Sequence, residues 1–134
     1  MNLAKHLALV TGSSSGIGRE VAIRLGRDGY RVAVHYNRNE TGAAETLAAI
    51  ENSGGSGFLI RFDTQNKEEI ESALGAAFAA SPELRLDVLV NNAGIHKDTL
   101  LGLMSDEQFD SVMKTNAYGP FYLMRFCVRK MMRQ

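Results

Sequence analysis

The sequence has little that would stabilise it outside a hydrophobic core or attach it to a charged partner. Among 134 residues there is one cysteine and no tryptophan, and fifteen basic residues balance fifteen acidic ones. A single cysteine excludes an intramolecular disulfide and indicates a reducing compartment. The zero net charge gives no sign of binding to nucleic acid or to an anionic membrane surface.

Long apolar segments and targeting signals are missing as well. No apolar run approaches the roughly 20 residues that span a bilayer. Met1 to Lys5 is too short and too polar for a secretory signal. Cysteine and histidine nowhere show the spacing of a metal site, so we predict no bound metal. We therefore expect a cytoplasmic protein with neither nucleic-acid nor membrane partners.

The residues that are present alternate between strand-like and helix-like patterns. Four short apolar segments have the length and composition of buried strands: 5–10, 30–36, 58–62 and 86–90. The amphipathic segments between them predict three helices, at 16–28, 41–52 and 67–80. This alternation predicts an α/β fold in a single domain over residues 1–134.

Local signals refine these elements. Ile17 begins the apolar stripe by which the first helix is predicted to face the core. The glycine-rich residues 54–57 predict a loop before the third strand. A long helix is expected after Ser105, which can form a capping box, with a kink at Gly119–Pro120 because proline removes a helical amide.

The most informative stretch joins the first strand to the first helix: Thr11-Gly12-Ser13-Ser14-Ser15-Gly16-Ile17-Gly18. The first amides of a helix lack intrahelical partners and carry partial positive charge, so a pyrophosphate fits there. We expect Gly12 to allow a tight turn, Gly16 to admit the ligand and Gly18 to let the helix pack closely. The alternative is an ordinary Gly/Ser turn, since glycine spacing alone is a weak signal.

Three further motifs make the pattern specific. Asp63 follows the third strand, Asn91-Asn92-Ala93-Gly94 follows the fourth, and Asn116 lies in the long helix. With Thr11–Gly18, these residues closely resemble the short-chain dehydrogenase/reductase family, and the overall sequence is most similar to its bacterial 3-oxoacyl-[acyl-carrier-protein] reductases. The resemblance implies a three-layer, Rossmann-type, doubly wound parallel sheet with strand order 3-2-1-4.

The resemblance also implies a function and a site. It implies hydride transfer between a nicotinamide cofactor and a small or carrier-bound carbonyl substrate, in a homo-oligomer. Asn116 would support the catalytic groups, or serve only a structural role. Asp63 would contact the adenine, or merely cap its strand. The implied cofactor-binding residues are Gly12, Ser13, Ser14, Ser15, Gly16, Ile17, Gly18, Asn37, Arg38, Asp63, Thr64, Asn91, Ala93 and Gly94.

The end of the second strand favours NADP(H) over NAD(H). NAD-binding enzymes carry an acidic residue about 20 positions after the turn, but here Tyr36 is followed by Asn37 and Arg38. Without that carboxylate a 2′-phosphate is not repelled, and Arg38 can pair with it. Arg38 as a solvated loop charge is the alternative. Ser15 occupies a position where some NADPH enzymes of the family carry arginine, which weakens the prediction.

The catalytic groups implied by the family are not found in this sequence. They are a serine and a Tyr-x-x-x-Lys pair that follow the asparagine helix, and none of the four tyrosines here precedes a lysine by four positions. A carbonyl reduction needs a positioned proton donor. We therefore expect a C-terminally truncated chain that alone binds cofactor weakly at best and reduces no ketone, with the fourth strand as an unpaired edge. A non-catalytic dinucleotide-binding or interaction module, complete at this length, is the alternative.

Other reactive side chains have simpler interpretations. His6, His35 and His96 have no paired partner in sequence and are predicted to be solvated or at strand edges. Cys127 is expected to be a packing residue. The aromatic residues of the last helix could face a partner subunit or the core; they are Phe121, Tyr122 and Phe126.

Overall fold

A computed structural model describes residues 3–95 and 97–134 of the chain. Within these residues the strands are β1 (His6–Val10), β2 (Arg31–Tyr36), β3 (Ser56–Arg61) and β4 (Arg85–Val90). The α-helices are α1 (Gly16–Arg27), α2 (Glu40–Asn52), α3 (Lys67–Ala80), α4 (Asp106–Met113) and α5 (Gly119–Arg133). His96, for which a solvated position is predicted, lies outside the described residues.

The strands form one parallel sheet in the order β3-β2-β1-β4, which confirms the predicted fold class. Leu9 of β1 lies between Ala33 of β2 and Leu89 of β4. The chain runs outward from β1 to β3 and then returns to add β4 on the other side of β1. The connections after β1 and β4 therefore diverge, and in such sheets the crevice between them at the carboxyl ends is where ligands bind.

The core lies on both faces of the sheet, as a three-layer fold requires. On one face α1 and α2 cover a cluster made of Val10, Ala22, Val32, Val34, Ala43 and Ile50. On the other face α3 and α5 cover a larger cluster that includes Leu7, Leu9, Phe62, Ile70, Leu74, Leu86, Leu123 and Cys127. Burial raises the pKa of the Cys127 thiol to about 12, so this cysteine is a packing residue, as predicted.

Small residues make the closest contacts of α1 with its neighbours, while Val21 and Leu25 of the predicted apolar stripe are partly buried against the core. Gly18, Ala22 and Gly26 are buried, whereas Ile17 is 77% exposed, so the predicted burial of Ile17 is wrong. A Cβ added at Gly26 would lie 2.7 Å from Cγ2 of Ile50 on α2. The close approach of α1 and α2 thus requires glycine at position 26, where hydrophobic periodicity alone would favour a larger side chain.

The predicted loop at 54–57 is wrong for its second half. Ser56 and Gly57 belong to β3 and pair with Arg31 and Val32 of β2. A Cβ at Gly57 would lie 2.6 Å from the Val32 carbonyl oxygen, so the glycine allows close backbone approach inside a strand.

The long helix predicted after Ser105 is interrupted by a π-helical turn, Lys114–Tyr118, between α4 and α5. The predicted capping box is confirmed, because Ser105 and Gln108 exchange side chain to backbone hydrogen bonds at the start of α4. Pro120 lies in the first turn of α5. The π-helical turn changes the hydrogen-bonding register immediately before Pro120, which has no amide to donate to the preceding turn.

β4 is an edge strand of the described sheet, as expected. The side chain of Gln134, at the end of α5, lies against it. Its Oε1 accepts a hydrogen bond from the Leu86 amide at 2.8 Å, and its Nε2 donates to the Leu86 carbonyl at 2.7 Å. One residue of β4 is therefore bonded by a side chain.

Residues 3–95 and 97–134 contain no helix with the length and apolarity needed to cross a membrane. In the same residues, no group of three or more histidine, cysteine, aspartate or glutamate side chains is placed to hold a metal ion.

Candidate dinucleotide-binding site

The predicted phosphate turn, Thr11–Gly18, lies at the carboxyl end of β1 and leads directly into α1. Gly12 and Gly16 have φ angles of +63° and +58°, a left-handed conformation that glycine adopts without strain. A Cβ at Gly16 would meet no atom within 4 Å. The space above the backbone at Gly16 is thus open, and its role in admitting a ligand stays a prediction.

The N-terminus of α1 is not capped by a side chain. Ser15 precedes the helix and makes no side-chain hydrogen bond to its amides. By contrast, Asn39, Asn66 and Ser105 each cap their own helices, α2, α3 and α4, by accepting from the amide of the third helical residue. The first amides of α1 therefore remain available to an anion, and the exposed Ile17 lies among them.

The end of β4 is joined to the turn by Asn92 and Thr11. The Asn92 side-chain amide donates to the Thr11 and Gly12 carbonyls, both at 3.1 Å. The Thr11 hydroxyl accepts from the amides of Asn92 and Ala93 at 3.0 and 2.9 Å. The Asn91–Gly94 segment thus ties the end of β4 to the turn after β1, and its cofactor-binding role stays a prediction.

Gly18 packs against this junction. A Cβ at Gly18 would lie 2.3 Å from the Gly12 carbonyl oxygen and 2.5 Å from Nδ2 of Asn92. These distances are far below van der Waals contact, so α1 can reach the turn only with glycine here. This agrees with the close-packing role expected for Gly18.

His35, near the end of β2, accepts a hydrogen bond from an amide of the turn. The Gly12 amide donates to Nδ1 of His35 at 3.0 Å, and Nε2 of His35 lies 2.8 Å from the Phe62 carbonyl. A carbonyl only accepts hydrogen bonds, so Nε2 carries the proton and Nδ1 is the acceptor. His35 is 2% exposed and stacks on the Phe62 ring, which makes the predicted solvated or edge position wrong.

Burial also fixes the charge of His35. Desolvation lowers the pKa of the imidazole from 6.5 to about 4, against smaller opposing effects of the Phe62 carbonyl and Asp63. The ring is therefore neutral at neutral pH. By comparison His6 is only partly buried, at the start of β1, where it pairs with Asp87.

Arg19 binds the other side of the turn to α2. Its guanidinium donates to the Ser14 carbonyl at 2.7 Å, the Gly42 carbonyl at 3.1 Å and the Thr46 hydroxyl at 3.0 Å. The buried Thr46 hydroxyl in turn donates to the Ser13 carbonyl at 2.8 Å. These bonds fix two carbonyls of the turn in place.

The end of β2 presents the groups predicted to select the cofactor. Arg38 is exposed, and its side chain makes no ion pair with the residues that the structure describes. Asn37 is held by Arg61, which donates to its carbonyl and to its side-chain Oδ1, both at 3.1 Å. Glu69 pairs with Arg61 at 3.4 Å, so Arg38 is the cation left for an anionic ligand at this strand end.

Asp63 and Thr64 form the loop after β3. One carboxylate oxygen of Asp63 accepts from the Gln65 amide at 2.9 Å, and the Asp63 amide donates to Glu69 at 2.7 Å. Thr64 is buried, and its carbonyl lies 2.8 Å from where a Cβ would stand at Gly119 of α5. Asp63 thus shapes its own loop, and the adenine contact of Asp63 and the cofactor-binding role of Thr64 stay predictions.

Asn116 pairs with the backbone of Ile95. Its Nδ2 donates to the Ile95 carbonyl at 2.6 Å and its Oδ1 accepts from the Ile95 amide at 2.8 Å. The π-helical turn of Asn116 is thereby held against the segment after β4, beside Gly94, whose Cβ position is 3.2 Å from Asn116 Oδ1. A structural role is visible, and the supporting catalytic role stays a prediction.

The comparison with known protein families shows to which family the chain belongs. The sequence model of the short chain dehydrogenases matches residues 6–134. The chain belongs to the short-chain dehydrogenase/reductase family. The predicted membership is confirmed, and the parallel sheet with strand order β3-β2-β1-β4 agrees with it.

Three relatives of this short-chain dehydrogenase/reductase are informative. A 3-oxoacyl-[acyl-carrier-protein] reductase of Staphylococcus aureus is 37% identical over 127 residues, which cover 95% of this chain and 51% of the relative. The structure of LugOII, a promiscuous reductase that catalyses keto-reduction at C1 during lugdunomycin biosynthesis, is 41% identical with a TM-score of 0.88. The landomycin C-6 ketoreductase LanV, solved with bound NADP and rabelomycin, is 34% identical with a TM-score of 0.88.

The chain spans about half the length of these relatives. It aligns over 98% of its own residues with LugOII and 96% with LanV, but covers 54% of each of those chains.

The predicted site residues lie at the carboxyl ends of the strands. Two residues that bond to the turn are not predicted by the sequence motifs. His35 and Arg19 belong to no motif that sequence reasoning used. A signal for His35 was present, because β2 is an almost wholly buried strand in which a histidine needs partners for both ring nitrogens. Arg19 offers no such signal, since arginines on a helix are ordinarily solvated.

Proposed function

We propose that this chain binds NADP(H) along the carboxyl ends of its strands and forms the cofactor-binding part of a ketone reductase. The observation that carries the proposal is the uncapped start of α1, where Gly16 leaves open space above the backbone. Family membership and the bound NADP of the related ketoreductase LanV support it.

We assign the predicted site residues, strand end by strand end, to the successive parts of a bound dinucleotide. The amides of Ser14 to Gly18 would hold the pyrophosphate, because they surround the open N-terminus of α1, whereas the Ser13 amide already donates to the His35 carbonyl. Asp63 and Thr64 would contact the adenine, and Asn37 and Arg38 would lie at the adenosine ribose. The residues after β4 would face the nicotinamide ribose: Asn91, Ala93 and Gly94. The nicotinamide supplies the hydride when bound.

Replacing Arg38 by alanine tests the cofactor preference. We expect Arg38→Ala to weaken NADPH binding about tenfold and NADH binding by less than about twofold, since only NADPH has the 2′-phosphate for a charge-assisted hydrogen bond. Isothermal titration or fluorescence titration with both cofactors measures this. Arg27→Ala removes the same charge from the exposed far end of α1 and should change neither affinity. Equal losses for the two cofactors in Arg38→Ala would reject the role.

The substrate in this proposal is a carbonyl compound, either small or attached to a carrier, reduced in the cytoplasm. The 134 residues alone should not reduce it, because they contain no Tyr-x-x-x-Lys pair to supply the proton. NADPH consumption with a panel of ketones should stay at the rate without protein, while the Staphylococcus aureus relative serves as the active control. Saturable ketone reduction by this chain would contradict the expectation.

A homo-oligomer is part of the same proposal. Helices α4 and α5 expose large apolar side chains, among them Phe109, Phe121, Met124 and Val128. Tyr122 and Phe126, by contrast, pack against the core. The exposed side chains form a surface that a second copy could cover.

A further inference from the structure

Within the described residues, His35 is the only residue of β2 whose side chain hydrogen-bonds both to the turn after β1 and to Phe62, which directly follows β3. It does so with its two nitrogens in fixed roles, an acceptor toward Gly12 and a donor toward Phe62. The backbone of His35 adds two bonds to Ser13: its amide donates to the Ser13 hydroxyl at 2.9 Å and its carbonyl accepts from the Ser13 amide at 3.1 Å.

Gly12 needs such a partner. Its left-handed φ of +63° turns the chain sharply, and its amide lies in a part-buried place. A partly buried amide without an acceptor costs free energy, because its lost hydrogen bonds to water are not replaced in full. Without Nδ1 as an acceptor, conformations in which the Gly12 amide bonds to water become more favourable, and the conformation of the turn would change.

We propose that His35 is a positioning residue for dinucleotide binding: its Nδ1 holds the Gly12 amide and thereby sets the conformation of the turn that receives the pyrophosphate. This inference rests on the proposed cofactor binding. It assigns to the two ring nitrogens different functions, since Nε2 serves the packing of β3 and Nδ1 serves the binding turn.

The charges around the ring leave this acceptor intact at neutral pH. Asp63 and Arg61 at the end of β3 act on the imidazole in opposite directions, and Glu69 of α3 bonds to both of these residues. The turn itself carries no titratable side chain, and Arg19, the first charged residue after it, pairs with Glu45 of α2. Burial therefore determines the neutral state of His35.

Two substitutions separate the functions of the nitrogens. The Oδ1 of asparagine can take the place of Nδ1, and the Nε2 of glutamine can take the place of the histidine Nε2. His35→Asn therefore keeps an acceptor for Gly12 and loses the bond to Phe62. His35→Gln keeps the bond to Phe62 and leaves the Gly12 amide unpaired. Both lose the ring stacking on Phe62, so their thermal stabilities should fall by similar amounts.

The experiment is a titration of the ¹⁵N-labelled full chain and both variants with NADP⁺ at pH 7.5, followed by amide chemical shifts. We expect His35→Gln to bind about tenfold more weakly than His35→Asn, as the loss of one hydrogen bond to the partly buried Gly12 amide implies. In the ligand-free chains, the Gly12 amide should exchange with solvent at least about tenfold faster in His35→Gln than in His35→Asn. The ring ¹⁵N shifts of the unmodified chain should report a protonated Nε2.

Each outcome has a distinct meaning. Equal NADP⁺ affinities in the two variants, or a ring protonated at Nδ1, would overturn the inference. No NADP⁺ binding by the unmodified chain would contradict the proposed function instead. In that case the Gly12 exchange rates still decide whether His35 positions the turn, and equal rates in the two variants would reject it.

Discussion

Gly18→Ala should weaken NADP(H) binding by about 100-fold, because the added methyl group would displace the turn from the conformation that receives the pyrophosphate, and overpacking of this kind costs up to about 3 kcal/mol. The added methyl group would stand 2.3 Å from the Gly12 carbonyl and 2.5 Å from the Asn92 amide. Neither can yield without moving the turn or breaking the bonds by which Asn92 joins the ends of β1 and β4. Fluorescence titration with NADPH measures the loss.

Gly75→Ala is the matched control for this substitution. Gly75 lies in α3, and a Cβ there would meet no atom within 4 Å. Alanine should leave NADPH affinity unchanged and raise the free energy of unfolding by about 0.5–1 kcal/mol, because it favours a helix more than glycine does. Binding by Gly18→Ala within threefold of the unmodified chain would contradict the assigned close packing.

Acidification from pH 6.5 to pH 4 should lower the free energy of unfolding by about 3 kcal/mol through His35 alone. Burial lowers the pKa of His35 from 6.5 to about 4 in the folded chain. Between these values the unfolded chain binds a proton that the folded chain does not, so protons favour unfolding. The contribution is fully present above pH 6.5 and is lost as the pH falls toward 4.

Urea unfolding at several pH values, followed by circular dichroism, checks this prediction. His35→Asn removes the titrating ring, so the difference between the two stability curves isolates the histidine from the carboxylates. We expect that difference to shrink as the pH falls from 6.5 to 4. Parallel curves over this range would show that His35 is not held neutral in the folded chain.

The phosphate turn could be predicted because its cause is local. An apolar strand, the three glycines of Thr11–Gly18 and a helical pattern follow one another in the sequence, so the position of the turn can be predicted from neighbouring residues alone. The bonds of His35 have a distant cause. Its partners lie 23 and 27 residues away, and only the parallel register of β1, β2 and β3 brings them to the ring.

The first helix shows the same limit. Hydrophobic periodicity places Ile17 toward the core, but the turn must be packed against α1, and only Gly18 leaves room for it. The helix therefore turns Gly18, Ala22 and Gly26 inward and leaves Ile17 exposed. A pattern of side-chain hydrophobicity contains no information about where the backbone of another segment must pass.

The contacts of Arg19 limit which residues can be changed to alter the proposed cofactor preference. Arg19 bonds to both the Ser14 and Gly42 carbonyls, and a Cβ at Gly42 would lie 2.4 Å from the Ser14 oxygen. The turn and the start of α2 are thus one rigid unit, which also carries the loop of Asn37 and Arg38. Under the proposed NADP(H) binding, a change of preference to NAD(H) should therefore be made in the side chains of that loop, with the backbone of the turn and of the start of α2 left intact.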